Sequence, residues 1–441
     1  MSAPALGAVG GVARGRGDER LLLVLVGCAL VVGWASLASL RAGTPTLGVP
    51  GPIAAWMGAI AVLHGALSLR GSRADQLLLP VVALLGGVSL LLMERLPQSL
   101  GPGGALATAQ LGWLLLAVGA CATIALLGRG DGLLRDHPYT WALVGIGLLA
   151  VVLVFGTDVN GARLSVRIGP LAGQPSEILK PILAIVLAGY LADRRALLAR
   201  DLRLGPLPLP PLPWLVPLLA MLGLAILLVV VQRDLGAALL FYGLFLAMLW
   251  TATQRRAWVL GGIALAGVAS VVLYGLFAHV RVRVDAWADP WADPLGSGYQ
   301  ALRALFALGR GGIAGTGLGA GLPEVAGVPA MPAIHTDLVV AALGEELGLA
   351  GLLALCGCYL VLGLRGLTIA ARAGDDFRAL LATGLTTVLV LQAALIIGGN
   401  LKVVPLTGVT LPFVSYGGSS LLACGICVGL LLALDARREA R

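Results

Sequence analysis

The chain has 441 residues, of which 59% are hydrophobic, 12% are charged and 63 are glycine. Soluble domains carry about 25% charged residues, so this sequence cannot clothe a water-soluble globule of its length. Its apolar content also excludes a disordered chain. Only 5% of residues are aromatic, which leaves Leu, Ala, Val and Gly as the apolar mass, a mixture that lets helices approach closely in lipid. The net charge of +8 comes from short Arg clusters between apolar runs, with Lys180 and Lys402 the only lysines. That distribution follows membrane topology and excludes nucleic acid as the partner.

About 20 apolar residues cross a bilayer core of about 30 Å. In chain order, such runs lie at 20–40, 51–69, 74–94, 104–127, 138–156, 176–192, 213–231, 234–253, 257–279, 337–364, 378–399 and 415–434. The pattern predicts an all-α, polytopic membrane helix bundle of about twelve spans. The first run follows Arg14, Arg16 and Arg20 and is longer than a signal-peptide core, so it reads as a retained helix. The seventh and eighth runs meet at Gln232-Arg233-Asp234, a turn so short that it could instead break one long hairpin. With the N-terminus inside, nineteen of 30 basic residues fall on the inner side and ten on the outer. This bias predicts a multi-pass protein of the bacterial cytoplasmic membrane, both termini cytoplasmic.

Three connections stand out. Residues 205–213 are Pro-rich and read as a stiff extended linker on the inner side. The outer segment from about 280 to 336, before the tenth span, reads as a long Gly-rich extracellular loop. The outer segment 400–414 is short and dense in Pro and Gly.

The six cysteines all lie in apolar runs, and Cys424 and Cys427 are spaced i, i+3 on a helix with no second pair and no nearby His. They read as small packing residues and imply no disulfide framework. Histidines are sparse. His64 stands alone inside a span and is read as a packing or polar contact, while His137 and His279 are read as interfacial. No zinc centre is expected from such a set. The run Gly315 to Gly321 lacks a surrounding βαβ unit and a following GK[ST], so it is read as a flexible re-entrant or extracellular loop and not as a nucleotide site.

Ionisable residues inside spans are costly and usually face a bundle interior or a water-filled cavity. Here they gather toward the outer side. Glu177 and Lys180 lie three apart on one helical face and can pair. Asp234 opens the eighth span, Asp337 opens the tenth, and Glu345 and Glu346 lie about two turns further on. Lys402 sits in the last outer loop, and His335 stands two residues before Asp337. Taken together, the set predicts a functional outer cavity; taken singly, each residue reads equally as a snorkelling or paired structural charge.

Read together, the motifs resemble those of the SEDS family (shape, elongation, division and sporulation). Gln174-Pro175-Ser176-Glu177 with Lys180 resembles QPSE…K, and Gln232-Arg233-Asp234-Leu235-Gly236 resembles QPDLG. Asp293-Pro294 with Gly298-Tyr299-Gln300 resembles DP…GYQ. His335-Thr336-Asp337 with Gly344-Glu345-Glu346-Leu347-Gly348 resembles HTDF…EELG. Pro405 to Gly408 with Leu411 to Ser420 resembles PxTGxxLPFxSYGGSS. Departures are Arg233 for the Pro of QPDLG, Leu338 for the Phe after the aspartate, Pro332-Ala333-Ile334 for the acidic lead-in, and Pro181 after the motif lysine. The resemblance divides the chain into an N-terminal extension with two spans (1–72), a ten-helix core (73–434) and a cytoplasmic tail (435–441).

The resemblance implies a peptidoglycan glycosyltransferase that polymerises lipid II at the outer face of the cytoplasmic membrane, working with a class B penicillin-binding protein. It maps the family's essential aspartate onto Asp337, expected as the general base or as a metal ligand. Lys402, Arg281 and Arg283 are candidates for the substrate diphosphate. Gln300, Glu177, Lys180, Ser415 and Tyr416 are further candidates for substrate binding, Glu177 and Lys180 by shaping the cavity and the last two by ordering the final outer loop. Asp234, His335, Glu345 and Glu346 are expected in structural or cavity roles. A divalent cation, Mg2+ or Mn2+, is a candidate cofactor. A lipid II transporter and a non-catalytic scaffold are the alternatives.

Overall fold

The computed structural model describes residues 16–42, 44, 50–96, 106–128, 130–159, 162–168, 171–198, 202–204, 207–209, 212–321, 324–325, 328–329, 331 and 333–436. The first half runs through α1 (Gly17–Ala42), α2 (Gly51–Leu69), α3 (Leu78–Arg95), α4 (Leu106–Leu127), the single turn α5 (Gly132–Arg135) and α6 (Pro138–Phe155). A small antiparallel sheet follows, β1 (Thr157–Val159), β2 (Ala162–Ile168) and β3 (Leu171–Gly173), with Thr157 opposite Ser165 and Ile168 opposite Leu171. Next come α7 (Pro175–Leu198), the hairpin of β4 (Leu202–Leu204) and β5 (Leu207–Leu209), α8 (Leu212–Val231), α9 (Leu235–Thr253) and α10 (Arg256–Leu276). The chain then forms α11 (Ala278–Ala288), α12 (Tyr299–Gly311), the pair β6 (Glu324–Val325) and β7 (Val328–Pro329), α13 (Val339–Ala371), α14 (Asp376–Asn400) and α15 (Gly418–Ala436).

Among the described residues, eleven helices are long and apolar enough to cross a membrane. They are α1 to α4, α6, α7, α9, α10 and α13 to α15. The seventh expected run carries α8, whose apolar stretch Val216–Val231 is shorter. Helix α7 continues through Pro181, and α2 and α6 carry Pro in the first turn, where the missing N–H costs nothing. Helices α3, α7 and α14 form the buried centre, with α15 laid along α4 and α14 packed between α7 and α13. Helix α10 buries no residue and presents apolar side chains all round, as a helix facing lipid would.

Two expected connections are corrected. The 205–213 linker includes β5 (207–209), paired antiparallel with β4, so the described part is a hairpin. The 280–336 loop carries two helices. Between them the Asp293 carboxylate accepts hydrogen bonds from Gly296 N (3.1 Å) and Ser297 N (2.8 Å), which folds the chain back into α12. Leu302, Ala304 and Ala307 of α12 are then buried against α13.

The Gly-rich run after α12 is not a free loop either. Gly348 interrupts α13 with φ 64° and ψ −166°, a conformation essentially confined to glycine. The backbone groups released there bond to the run: Thr316 N and Gly317 N donate to Glu345 O and Glu346 O (3.0 Å each), while Leu349 N donates to Gly312 O (2.9 Å) and Ala350 N to Ile313 O (3.2 Å). A Cβ on Gly348 would stand 2.3 Å from Gly315 N.

The two ends of the bundle differ in chemistry. At the end where α1 begins, charges pair: Arg378 Nε with Asp131 (2.6 Å), Arg365 Nε with Asp75 (2.6 Å) and Arg195 with Asp376. Arg16 donates to Ser72 O and Ala74 O (3.0 Å each) and pairs with the buried Glu19, which His64 Nδ1 meets at 2.5 Å. This cluster binds α1 and α2 to the start of the core. The opposite, distal end gathers the connections α6–α7, α8–α9, α10–α13 and α14–α15.

Candidate active site

The distal end is assembled around the turn that enters α13. Asp337 N and Leu338 N both donate to Ala333 O, at 2.9 and 3.1 Å, with Ala333 at φ 51°. Three consecutive carbonyls of this turn are each held by a different partner. His335 O accepts from Tyr416 N (2.7 Å), Thr336 O from the Ser415 hydroxyl (2.6 Å) and Asp337 O from Asn400 Nδ2 (2.8 Å). The same Asn400 accepts from Ala341 N (3.1 Å), so it joins the end of α14 to both sides of the α13 start. Ser415 Oγ also accepts from Leu411 N (2.8 Å). Ser415 and Tyr416 therefore order the turn that carries Asp337.

Asp337 faces a cavity of about 430 Å3 between α11, the start of α12 and residues 399–408. Arg283, Trp287, Tyr299, Gln300 and Lys402 line it together with Asp337. Arg283 Nη1 donates to Thr407 O (3.0 Å), and Trp287 Nε1 donates to Lys402 O (3.0 Å), which fastens α11 to the loop after α14. Gly408, at φ 74°, passes close to the aspartate: a Cβ there would lie 4.0 Å from Asp337 Oδ2. Burial pushes the Asp337 carboxyl above the usual carboxylate range, while the Thr336 hydroxyl and the positive charge of Arg283 pull it back. Burial lowers the His335 imidazole, which tilts against the Tyr416 ring at 5.8 Å. The cavity thus holds one fixed carboxylate suited to taking a proton and two cations suited to a phosphate.

Other sequence candidates lie away from the cavity lining. Glu177 and Lys180 form a buried pair at 2.6 Å, and Lys180 also donates to Gln392 Oε1 (2.8 Å). Gln392 in turn donates to Thr410 O (2.7 Å), so the pair braces α7 against the last outer loop. Asp234 caps α9 by accepting from Ala237 N (3.0 Å), and it also accepts from Gln174 Nε2 (2.9 Å) and Ser176 Oγ (3.2 Å). Gln174 N donates to Ser419 Oγ (2.8 Å), which interlocks three of the sequence motifs. Glu345 pairs with Arg310 (2.5 Å) and Glu346 with Arg95, both beneath the Gly-rich run. Arg281 donates to Gly275 O (3.0 Å) and lies over Tyr274, outside the cavity lining.

Sequence reasoning missed Asn400 and Trp287, and it read Asp293 as a motif residue without its role in turning the chain into α12. For Asn400 the sequence shows only a polar amide closing an apolar run; its burial to 1% exposure and its partners Asp337 and Ala341 come from the fold. Among the described residues no group of three or more His, Cys, Asp or Glu could hold a metal ion. Asp337 alone supplies a carboxylate to the cavity lining, so a divalent cation fits there only with substrate phosphate oxygens as further ligands.

Residues 75–440 match the family model described as "Cell cycle protein", that of FtsW, RodA and SpoVE. The chain belongs to this family. It is 38% identical over 440 residues to the peptidoglycan glycosyltransferase RodA of Mycobacterium tuberculosis (strain ATCC 25618 / H37Rv), covering 97% of this chain and 92% of that one. It is 40% identical over 299 residues to the probable peptidoglycan glycosyltransferase FtsW of Nitrosococcus halophilus (strain Nc4), covering 66% and 73%. Among solved structures, a chain described under the structural coordination of polymerization and crosslinking by a peptidoglycan synthase complex superposes with a TM-score of 0.66. It is 27% identical and covers 84% of this chain and 99% of its own. A mutant form of the rod shape determining protein RodA of Thermus thermophilus superposes with a TM-score of 0.60 at 25% identity, with the same coverage. The family is one of multi-pass membrane proteins, in keeping with the apolar helices here.

Proposed function

We propose that the chain is a peptidoglycan glycosyltransferase that polymerises lipid II at the outer face of the cytoplasmic membrane. The observation that carries the reading is Asp337, set on a turn clamped at three carbonyls and facing a cavity shared with Arg283 and Lys402. Relatives named peptidoglycan glycosyltransferase support it along nearly the whole chain.

In the reaction the acceptor sugar hydroxyl oxygen bonds to the anomeric carbon of the donor, and its proton passes to an Asp337 carboxylate oxygen. The bond from that carbon to the diphosphate oxygen breaks, and undecaprenyl diphosphate leaves with the electron pair. Arg283 and Lys402 offset the charge that builds on it. A single displacement inverts the α-linked donor to a β-linked product, and it needs one base, unlike the paired carboxylates of glycosidases. The Arg bias toward the α1 end supports a cytoplasmic placement of both termini and an outward-facing distal end. A class B penicillin-binding protein is the proposed partner, on the likeness to a chain of a complex described for polymerization and crosslinking. Asp337 would be the protein ligand of a divalent cation, which would supply positive charge to the substrate phosphates.

The test is lipid II polymerisation by the purified complex. Loss of glycan product in Asp337→Asn, with lipid II still bound, supports the base role. Wild-type rate in that variant refutes it. Transfer of labelled lipid II across liposomes without glycan formation would favour a transporter.

A further inference from the structure

Beside Arg283 the distal end holds three further hydrogen-bond donors, Arg233, His279 and Thr407, that the proposed reaction does not use. Arg233, in the α8–α9 turn, is exposed, and among the described residues its guanidinium has no hydrogen-bond or ion-pair partner. The neighbouring Asp234 carboxylate does not take it up, being engaged by Gln174, Ser176 and Ala237 N. Three residues on, Gly236 abuts Thr407 closely enough that a Cβ would stand 2.7 Å from Thr407 O. Arg283 Nη1 donates to that same carbonyl at 3.0 Å. His279 lies four residues before Arg283 on α11, on the same face.

Two atoms of this group are enclosed by protein and have no hydrogen-bond partner within it, His279 Nε2 and Thr407 Oγ1. A buried polar atom left unbonded costs stability, and such atoms persist where a ligand uses them. Burial, with the positive charges of Arg233 and Arg283 added to it, keeps His279 below its usual imidazole range, so it presents a neutral ring. A neutral imidazole can donate one N–H, a hydroxyl donates one O–H, and each guanidinium donates several. The group therefore offers donors to an anion from four side chains. It adjoins the Asp337 cavity through Arg283 and through Gly408, the residue after Thr407.

We propose that Arg233, His279, Arg283 and Thr407 form a subsite for a phosphate oxyanion carried on a lipid, and that its ligand is the diphosphate of the second lipid-linked sugar. The inference rests on the proposed polymerisation. Joining two lipid-linked sugars brings two diphosphates to one site, one that leaves and one that is retained. Lys402 and Arg283 face the Asp337 cavity and serve the first. Arg233, His279 and Thr407 lie outside its lining and serve the second, with Arg283, which lines the cavity and donates to Thr407 O, between them.

The probe is undecaprenyl diphosphate, bound to the full chain in nanodiscs of phosphatidylcholine and counted by native mass spectrometry. Wild type is expected to bind two molecules, and the double variant R233Q/H279L one. Arg233 has φ 66°, and glutamine is tolerated at such a left-handed position in this fold, since Gln254 has φ 56°. Thr407→Val is the second variant. It removes a hydroxyl that bonds nothing within the protein, so a purely structural role predicts unchanged or higher heat stability with both molecules retained. The subsite predicts loss of one molecule at unchanged heat stability. Two molecules bound by the double variant, or one bound by wild type, overturns the proposal. So does loss in R233Q/H279L of added phosphatidylglycerol alone, which would mark a phospholipid headgroup site. If Asp337→Asn polymerises lipid II at the wild-type rate while R233Q/H279L loses one diphosphate, the proposed function falls and the subsite stands.

Discussion

Asn400 holds the backbone of Asp337 through its own amide, donating to Asp337 O at 2.8 Å and accepting from Ala341 N at 3.1 Å. The residue is buried at 1% exposure, so no water replaces it. Removing the amide orphans a carbonyl and an N–H, at about 1–3 kcal/mol for each buried group. Asn400→Ala is expected to lower polymerisation at least tenfold, through loss of carboxylate placement, while leaving lipid II binding near wild type. Polymerisation rate and binding measured side by side check this, since a folding defect would lower both.

The acid limb of activity should lie higher than for an ordinary carboxylate. Asp337 acts as base only when ionised, and burial raises its pKa. Activity is therefore expected to be lost as pH falls through that raised value. Arg283 pulls the same group down, so Arg283→Gln should move the limb to still higher pH, besides weakening diphosphate binding. A pH profile of kcat/KM for the two proteins measures the shift, and a limb unmoved in the variant would contradict it.

The Glu177–Lys180 pair should matter for stability more than for chemistry. Both side chains are buried, at 2.6 Å from each other. Breaking a buried pair by removing one partner costs about 3–5 kcal/mol, whereas replacing both is often close to neutral. Lys180→Met is expected to lower the thermal midpoint sharply, and Glu177→Gln with Lys180→Met to restore much of it. Unfolding followed in detergent by loss of the helical signal tests the pattern.

The kink of α13 predicts opposite outcomes for two glycines of one helix. Gly348 sits at φ 64° with Gly315 N where a Cβ would go, whereas Gly357 has nothing within 4 Å of that position. Gly348→Ala is expected to destabilise by more than the roughly 1–3 kcal/mol of backbone strain alone, because the Gly-rich run must also move. Gly357→Ala is expected to be neutral or stabilising. Thermal midpoints of both variants decide it.

Much of the scaffold was legible because membrane helices declare themselves by length and apolarity. The i, i+3 pairing of Glu177 with Lys180 followed from helix periodicity alone. The 280–336 segment was misread because α11 and α12 are short and half polar, and Gly and Pro around them mimic a loop. Arg281 and Arg283 looked equivalent in the sequence. Two residues apart on a helix they point about 200° apart, so only one faces the cavity, and nothing before the fold of α11 says which. Asn400 and the pairing of Arg95 with Glu346 depend on contacts between distant parts of the chain, which local pattern does not carry.

The clamp on residues 335–337 has a consequence for polymer growth. The backbone of the proposed base is tied at once to the end of α14 and to the segment that leads into α15, so it cannot travel with the product. A strand that lengthens by one disaccharide per reaction must slide past a stationary atom by one repeat each time. The step that resets the enzyme is then the passage of glycan and lipid through the site, and its speed is set by how tightly the substrate is gripped.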